Sequence, residues 1–280
     1  MSDWLNDPPP VTPFGAVGWA LVVLRGAVLG CVTYFGLVLL LVVRLIERPL
    51  FGMVRPWSPH ITQTVCRAAF PIIGLRLVVR GNPMVERGAV VANHASWLDI
   101  FVLNAVQRIY FVAKSEVEGW AGIGWLARAT GTVFIRRKGT EARAQQALFE
   151  ERLRAGHQLL FFPEGTSTDS IRILPFKSTL FAAFFTHGLD QIMYIQPVTV
   201  IYHPPTGADA RAYGWWGDMS FASHLLHTLA MARQGWVEVV FHPAVAVNLF
   251  ADRKALAAHC EAAVRGGFAA ARSEPGDQRL

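Results

Sequence analysis

The chain has 280 residues, of which 52% are hydrophobic and only 16% charged. That is more apolar and less charged than an ordinary soluble domain, so part of its surface is expected to meet lipid rather than water. The 26 Lys and Arg against 20 Asp and Glu leave a formal charge of +6, with no Lys/Arg-rich run and no nucleic-acid motif; this suits an anionic bilayer or a phosphate-bearing ligand and argues against nucleic acid as a partner.

Residues 1–13 are polar and Pro-rich (Pro8, Pro9, Pro10, Pro13) and are expected to be irregular. Phe14 to Val43 is apolar apart from Arg25, and Gly26–Val43 contains 18 uncharged residues, at the lower edge of what spans a bilayer. Asp3 and Asp7 precede the run where a signal peptide would carry basic residues, and no small-residue cleavage site follows. A buried core helix is the alternative to a membrane helix or re-entrant hairpin. Arg44, Arg48 and Arg55 follow the run, which by the positive-inside rule puts the remainder in the cytoplasm. The expected division is a tail and anchoring segment over 1–48 and a folded domain over 49–280.

From about residue 71 the pattern alternates. Leu75–Arg80, Ala89–Ala92, Ile109–Val112, Thr132–Arg136, Gln158–Phe162, Ile195–Tyr202 and Trp236–His242 read as strands. Segments near 97–107, 120–129, 140–155, 176–187, 221–234 and 251–271 read as helices. Such alternation predicts an α/β domain whose mixed, largely parallel sheet is covered by helices. The cysteines, Cys31, Cys66 and Cys260, lie far apart in no metal-ligand or CxxC spacing, so no disulfide framework and no metal site are expected.

Four segments can carry chemistry. In Asn93-His94-Ala95-Ser96-Trp97-Leu98-Asp99 an apolar strand ends in polar residues, the usual place for a site in an α/β sheet. An imidazole can accept a hydroxyl proton while a carboxylate fixes its tautomer. Positions five apart on one helix point roughly 140° apart, so His94 meets Asp99 only if His94 lies in a loop and Asp99 in the first helical turn. Ser96 as N-cap would allow this, and the same residues also read as a plain capping arrangement; both roles can hold together.

Phe162-Pro163-Glu164-Gly165-Thr166-Ser167-Thr168 follows another apolar strand. It presents a carboxylate, three hydroxyls and backbone N–H groups at a tight turn, either as an anion or oxyanion site or as a solvated Pro/Gly turn. In Gly131–Lys138 a strand ends in Arg136, Arg137 and Lys138, an anion clamp or merely a charged strand end; Lys114, after Tyr110–Ala113, is similarly ambiguous. Ile195–Tyr202 reads as a buried strand in which Pro197 points to an edge position or a shaped wall. There is no GxSxG, HExxH, Walker A or Rossmann glycine pattern, which argues against the corresponding hydrolases, zincins, P-loop enzymes and dinucleotide oxidoreductases.

The order of these blocks over residues 75–205 closely resembles the glycerolipid and lysophosphatidate acyltransferase family. The resemblance implies His94 as general base with Asp99 orienting it, and direct attack of a lysolipid hydroxyl on an acyl thioester. It implies acceptor contacts from Arg137, Arg136, Glu164, Gly165, Thr166 and Lys114, and an acyl-donor pocket shaped by Pro197. Arg136 stands where many relatives carry an acidic residue. No cofactor is implied beyond the co-substrate, acyl carrier protein thioester or acyl coenzyme A. The implied location is the bacterial inner membrane, with the catalytic domain on its cytoplasmic face.

Thr168–Ser178, Gly217-Asp218-Met219 and His224-Leu225-Leu226 resemble the bacterial ornithine-lipid branch. The expected acceptor is therefore lyso-ornithine lipid, whose free hydroxyl sits on an amide-linked 3-hydroxyacyl chain, with lysophosphatidate as the alternative. A lipid hydrolase using the same histidine and a non-catalytic lipid-binding protein are the less favoured readings.

Overall fold

The computed structural model describes residues 4–9, 13–120, 122–135, 142–186 and 188–273. Its first long element, α1 (Ala16–Phe51), is one helix of 36 residues, about 54 Å long at the usual rise. It is long and apolar enough to cross a membrane. The boundary expected at 48/49 falls inside it, because Pro49 is accommodated in its last turn and the helix closes only at Gly52, whose N–H donates to the Arg48 carbonyl at 2.9 Å.

Helix α2 (Ser58–Ile73), not among the elements expected from the sequence, folds back on α1. The crossing is close because Gly36 has no side chain: a Cβ there would lie 2.3 Å from Val65 Cγ2. Glu47 at the end of α1 is buried and accepts from Trp57 N, Ser58 N and Ser58 Oγ at 2.7, 3.1 and 2.7 Å. It thereby supplies from α1 the carboxylate cap that α2 lacks in its own sequence.

Arg25, the charge inside the apolar run, does not face outward. Its Nη1 donates to the carbonyls of Leu229 and Met231 at 2.9 and 2.7 Å, at the C-terminus of α6 (Phe221–Ala230), where a cation meets orphan carbonyls and the negative helix end. Val22, Leu29, Leu37 and Leu40 are buried on the domain, while Val23, Phe35, Val38, Val42 and Leu45 form an exposed apolar face.

The sheet contains, in chain order, β1 (Arg76–Arg80), β2 (Gly88–Ala92), β3 (Tyr110–Lys114), β4 (Val133–Ile135), β5 (Leu159–Phe161), β6 (Tyr194–His203), β7 (Trp236–Phe241) and β8 (Val245–Ala246). The spatial order is β1-β7-β6-β2-β5-β3-β4, with β8 also against β6. The β6·β7 and β6·β8 pairs are antiparallel and the others parallel, so the sheet is mixed and mostly parallel as expected.

Alternation along β2 sends Val90 and Ala92 to one face, against α2, α3 (Leu98–Val106) and α6, and Ala89 and Val91 to the other. The second face is covered by α5 (Ala142–Arg154), α7 (Arg253–Ser273) and a 3-10 segment, Ser178–Phe185. Covering both faces explains the nearly unbroken apolar strands. Where a regular helix is expected near 176–187, the chain forms this 3-10 segment over Ser178–Phe185, with Phe181 and Phe184 fully buried; α4 (Ile123–Thr130) precedes β4 in the chain.

Candidate active site

Register brings the two main motifs together. β2 and β5 are parallel neighbours with Val91 opposite Phe161, so His94 and Glu164, each three residues further on, emerge level at the C-terminal edge. The His94 N–H donates to Glu164 Oε1 at 2.7 Å, and Leu174 N–H to Glu164 Oε2 at 2.6 Å. Burial pushes the Glu164 carboxyl up to about 8, against the pull of those two donors. Gly165, at φ +74°, makes the turn that follows.

Asp99 lies in the first turn of α3 and is fully buried. Its Oδ2 lies 2.8 Å from His94 Nδ1 and also accepts from Ala95 N at 2.8 Å and Ser96 N at 3.0 Å. Its Oδ1 accepts from the Tyr202 hydroxyl at 2.7 Å. A carboxylate acceptor places the proton of neutral His94 on Nδ1 and leaves Nε2 with its lone pair. Burial and the Asp99 charge hold the Tyr202 phenol well above its usual range, so it remains a donor.

The capping expectation is corrected in detail. Trp97, not Ser96, occupies the cap position, and Ser96 Oγ is 3.4 Å from Leu98 N. The backward bond, from Ser96 N to the Asp99 carboxylate at 3.0 Å, is the well-formed one, and the same carboxylate oxygen reaches His94.

The loop is held on all sides. Asn93 bridges to Val200 through Nδ2–H to its carbonyl and N–H from it, both at 2.8 Å. His94 stacks on Phe162 with ring centroids 4.0 Å apart. Its carbonyl accepts from Thr168 N at 2.9 Å and Thr168 Oγ1 at 3.2 Å, and the Ala95 carbonyl accepts from Trp215 N at 2.9 Å. Trp97 Nε1 donates to His224 Nδ1 at 2.9 Å. Burial and nearby His227 lower His224 to about 4, so it is a neutral acceptor.

The remaining expected residues divide. Lys114 ends β3, one strand beyond β5 at the same edge, and is opposite Ile135 of β4. Arg136 and Arg137 lie outside the described residues. Thr166 is exposed, whereas Ser167 and Thr168 are buried. Thus the three hydroxyls are not presented together, and the N–H groups of Gly165 and Thr168 are taken by the Phe162 and His94 carbonyls rather than left for an oxyanion.

Pro197 is not at an edge: β6 lies between β2 on one side and β7 and β8 on the other. It falls where β8 pairing at Tyr194–Ile195 ends and β7 pairing from Val198 begins. Its carbonyl accepts from His242 N at 3.0 Å, so its missing N–H faces that seam, where no ladder bond is lost. Opposite Val91, it stands roughly 10 Å along the strand from the level of His94, and the fold does not bring it to the imidazole.

Tyr202, Phe162 and the Trp97–His224 pair were not singled out by spacing. Tyr202 reads only as a strand residue until β6 is laid beside β2.

Comparison with known proteins agrees with this geometry. A family model described as Acyltransferase matches residues 76–201. A lyso-ornithine lipid O-acyltransferase of Rhodobacter capsulatus is 63% identical over 95% of this chain and 96% of its own. One of Brucella abortus is 39% identical over 75% of this chain and 82% of its own. A 1-acyl-sn-glycerol-3-phosphate acyltransferase of Neisseria gonorrhoeae is 36% identical over 48% of this chain and 52% of its own. The crystal structure of the 1-acyl-sn-glycerophosphate acyltransferase PlsC of Thermotoga maritima has the same fold, with TM-score 0.68 at 20% identity, covering 92% of this chain and 98% of that one.

Proposed function

Because this chain belongs to the acyltransferase family, an O-acyltransferase taking a lysolipid acceptor and an acyl donor, we propose that its acceptor is lyso-ornithine lipid and that His94 is the general base. The observation that carries the mechanism is the His94–Asp99 contact at 2.8 Å with Asp99 buried and every side of its carboxylate engaged. The acceptor reading is supported by the 63% identity to the Rhodobacter capsulatus enzyme over nearly both whole chains.

In the proposed step His94 Nε2 takes the proton of the acceptor hydroxyl as its oxygen attacks the thioester carbonyl. The tetrahedral intermediate collapses by breaking the carbon–sulfur bond, and the departing thiolate takes the proton back from the imidazolium. Asp99 stabilises the transient imidazolium and keeps the ring oriented. The donor is acyl carrier protein thioester or acyl coenzyme A, both acidic partners suited to a chain of charge +6. Lys114 is a contact for the acceptor at the same sheet edge, with Arg136 and Arg137 assigned to the head group by their place in the sequence.

The outward apolar face of α1 is read as the membrane contact. Since the opposite face packs on α2 and α6, the helix holds the site at the bilayer surface where the lysolipid resides. The bacterial cytoplasmic face is the location this reading assigns.

The test is acylation of lyso-ornithine lipid and lysophosphatidate in competition, with labelled acyl carrier protein or coenzyme A donor. The expected result is diacylated ornithine lipid as the main product and a fall of about 10²–10⁴-fold for His94→Ala. Wild-type rates in that variant would remove His94 as base. Preference for lysophosphatidate would favour the second reading, which the Neisseria relative supports, and release of free fatty acid would favour hydrolysis.

A further inference from the structure

The segment after Thr168 builds a second polar feature beside the His94 loop. Asp169 is fully buried and its Oδ2 lies 2.8 Å from both Nε and an Nη of Arg172. The Trp4 ring covers the guanidinium, 4.6 Å from Cζ, and the Trp4 carbonyl accepts from Trp216 Nε1 at 2.9 Å. The cation is therefore fixed in direction by a carboxylate behind it and an aromatic face above it. The Arg172 side chain nonetheless remains 32% exposed. Asp169 engages only part of its fork, which can bind a second carboxylate through the remaining N–H groups.

Its position is tied to the catalytic loop. The Thr168 hydroxyl donates to the carbonyls of both His94 and Arg172, at 3.2 and 3.1 Å, so the two residues' backbones flank one hydroxyl. Ser170, between Asp169 and Arg172, is buried at φ +63°, the one non-glycine residue with positive φ among those described. Such a conformation is unfavourable for a residue with a side chain and persists where the surroundings impose it. Here it turns Arg172 back onto Asp169. Gly214 admits the neighbouring loop, since a Cβ there would lie 2.6 Å from the Asp169 carbonyl carbon.

We propose that Arg172, clamped by Asp169 under Trp4, binds the carboxylate of an amino-acid-headed lysolipid and so selects the acceptor. This rests on the lyso-ornithine reading given above. In that lipid only the C2 methylene of the acyl chain, the amide and the ornithine α-carbon separate the reacting carbinol from the carboxylate. The shared Thr168 hydroxyl joins the backbones of His94 and Arg172 at one point, so the two side chains rise from adjoining loops.

The experiment compares lyso-ornithine lipid with its carboxyl methyl ester as acceptors of the full-length enzyme. The ester keeps the hydroxyl and the ammonium and loses only the negative charge. Wild type is expected to show KM roughly 10–100-fold higher for the ester with kcat little changed, the usual worth of a hydrogen bond to a charged group. Arg172→Gln strands the buried Asp169, so the paired variant Asp169→Asn/Arg172→Gln is the decisive one. It should treat acid and ester alike, at the KM wild type shows for the ester. Wild type acylating acid and ester with equal KM, or a folded double variant keeping the full preference for the acid, overturns the Arg172 assignment and leaves the acceptor reading standing. Acylation of neither, with lysophosphatidate still acylated, overturns both.

Discussion

Tyr202 donates its hydroxyl to Asp99 Oδ1 at 2.7 Å, on the carboxylate oxygen opposite the one that holds His94 Nδ1. The two contacts come from different strands: β2 delivers the histidine and β6 the tyrosine. Asp99 is thereby fixed from both sides without a counter-cation among the described residues, and its charge stays available to an imidazolium.

Tyr202→Phe removes this donor and leaves the packing nearly unchanged. A lost hydrogen bond to a buried charged group is worth about 1.5–3 kcal/mol, so kcat should fall roughly 10–100-fold. KM for the acceptor should hardly move, because Tyr202 is buried behind Asp99. Steady-state kinetics that show the whole effect in KM would count against a positioning role.

Glu164 carries a pH signature. Its folded value of about 8 lies above the ordinary 4.5, so between those limits the folded state holds a proton that the unfolded state has released. The group's contribution to stability is therefore full below about 4.5 and declines as pH rises toward 8. Glu164→Gln should flatten that decline. It should also lower stability by about 1–3 kcal/mol, since an amide nitrogen must then face one of the two N–H donors. Denaturant midpoints in detergent between pH 5 and 9, wild type against variant, measure both effects.

On the acid side the buried histidines act in the opposite direction. His224 and His157 are each lowered to about 4 by burial, below the ordinary 6.5, so the unfolded chain takes up protons the folded one refuses. Stability should fall as pH drops from about 6.5 toward 4. His224→Ala should weaken this dependence and destabilise the protein at pH 7 as well, because Trp97 Nε1 loses its acceptor. An unchanged pH 7 midpoint in that variant would remove the Trp97–His224 bond from the account.

Arg25→Leu makes α1 more hydrophobic and yet should weaken the protein. Two carbonyls at the end of α6 lose their donor, at a cost of about 1–3 kcal/mol. Limited proteolysis of the 231–235 region should accelerate in the variant. A variant as resistant as wild type would mean that Arg25 contributes little to docking α1.

Most strands and helices of the α/β domain, and the chemistry they carry, are legible in the sequence alone; α2 and the 3-10 form of Ser178–Phe185 are not. Apolar strands ending in His94 and Glu164, and amphipathic stretches between them, are local patterns, since each is set by a few neighbouring residues and the turn chemistry at their ends. The His94–Asp99 pairing was legible for the same reason: a loop residue and a first-turn residue five apart have few ways to meet. What required the tertiary structure is everything set by strand order and register. Placing β2 between β5 and β6 brings Glu164 under the His94 N–H and Tyr202 onto Asp99, at sequence separations of 70 and 103, and no local spacing encodes that. The same holds for Pro197, whose interior position depends on where β7 gives way to β8. It holds for Arg25, whose partners are more than 200 residues away. The Ser96 arrangement is only half local: its N–H reaches the Asp99 carboxylate as spacing suggests, but that carboxylate is also held by Tyr202 from β6, which no local pattern encodes.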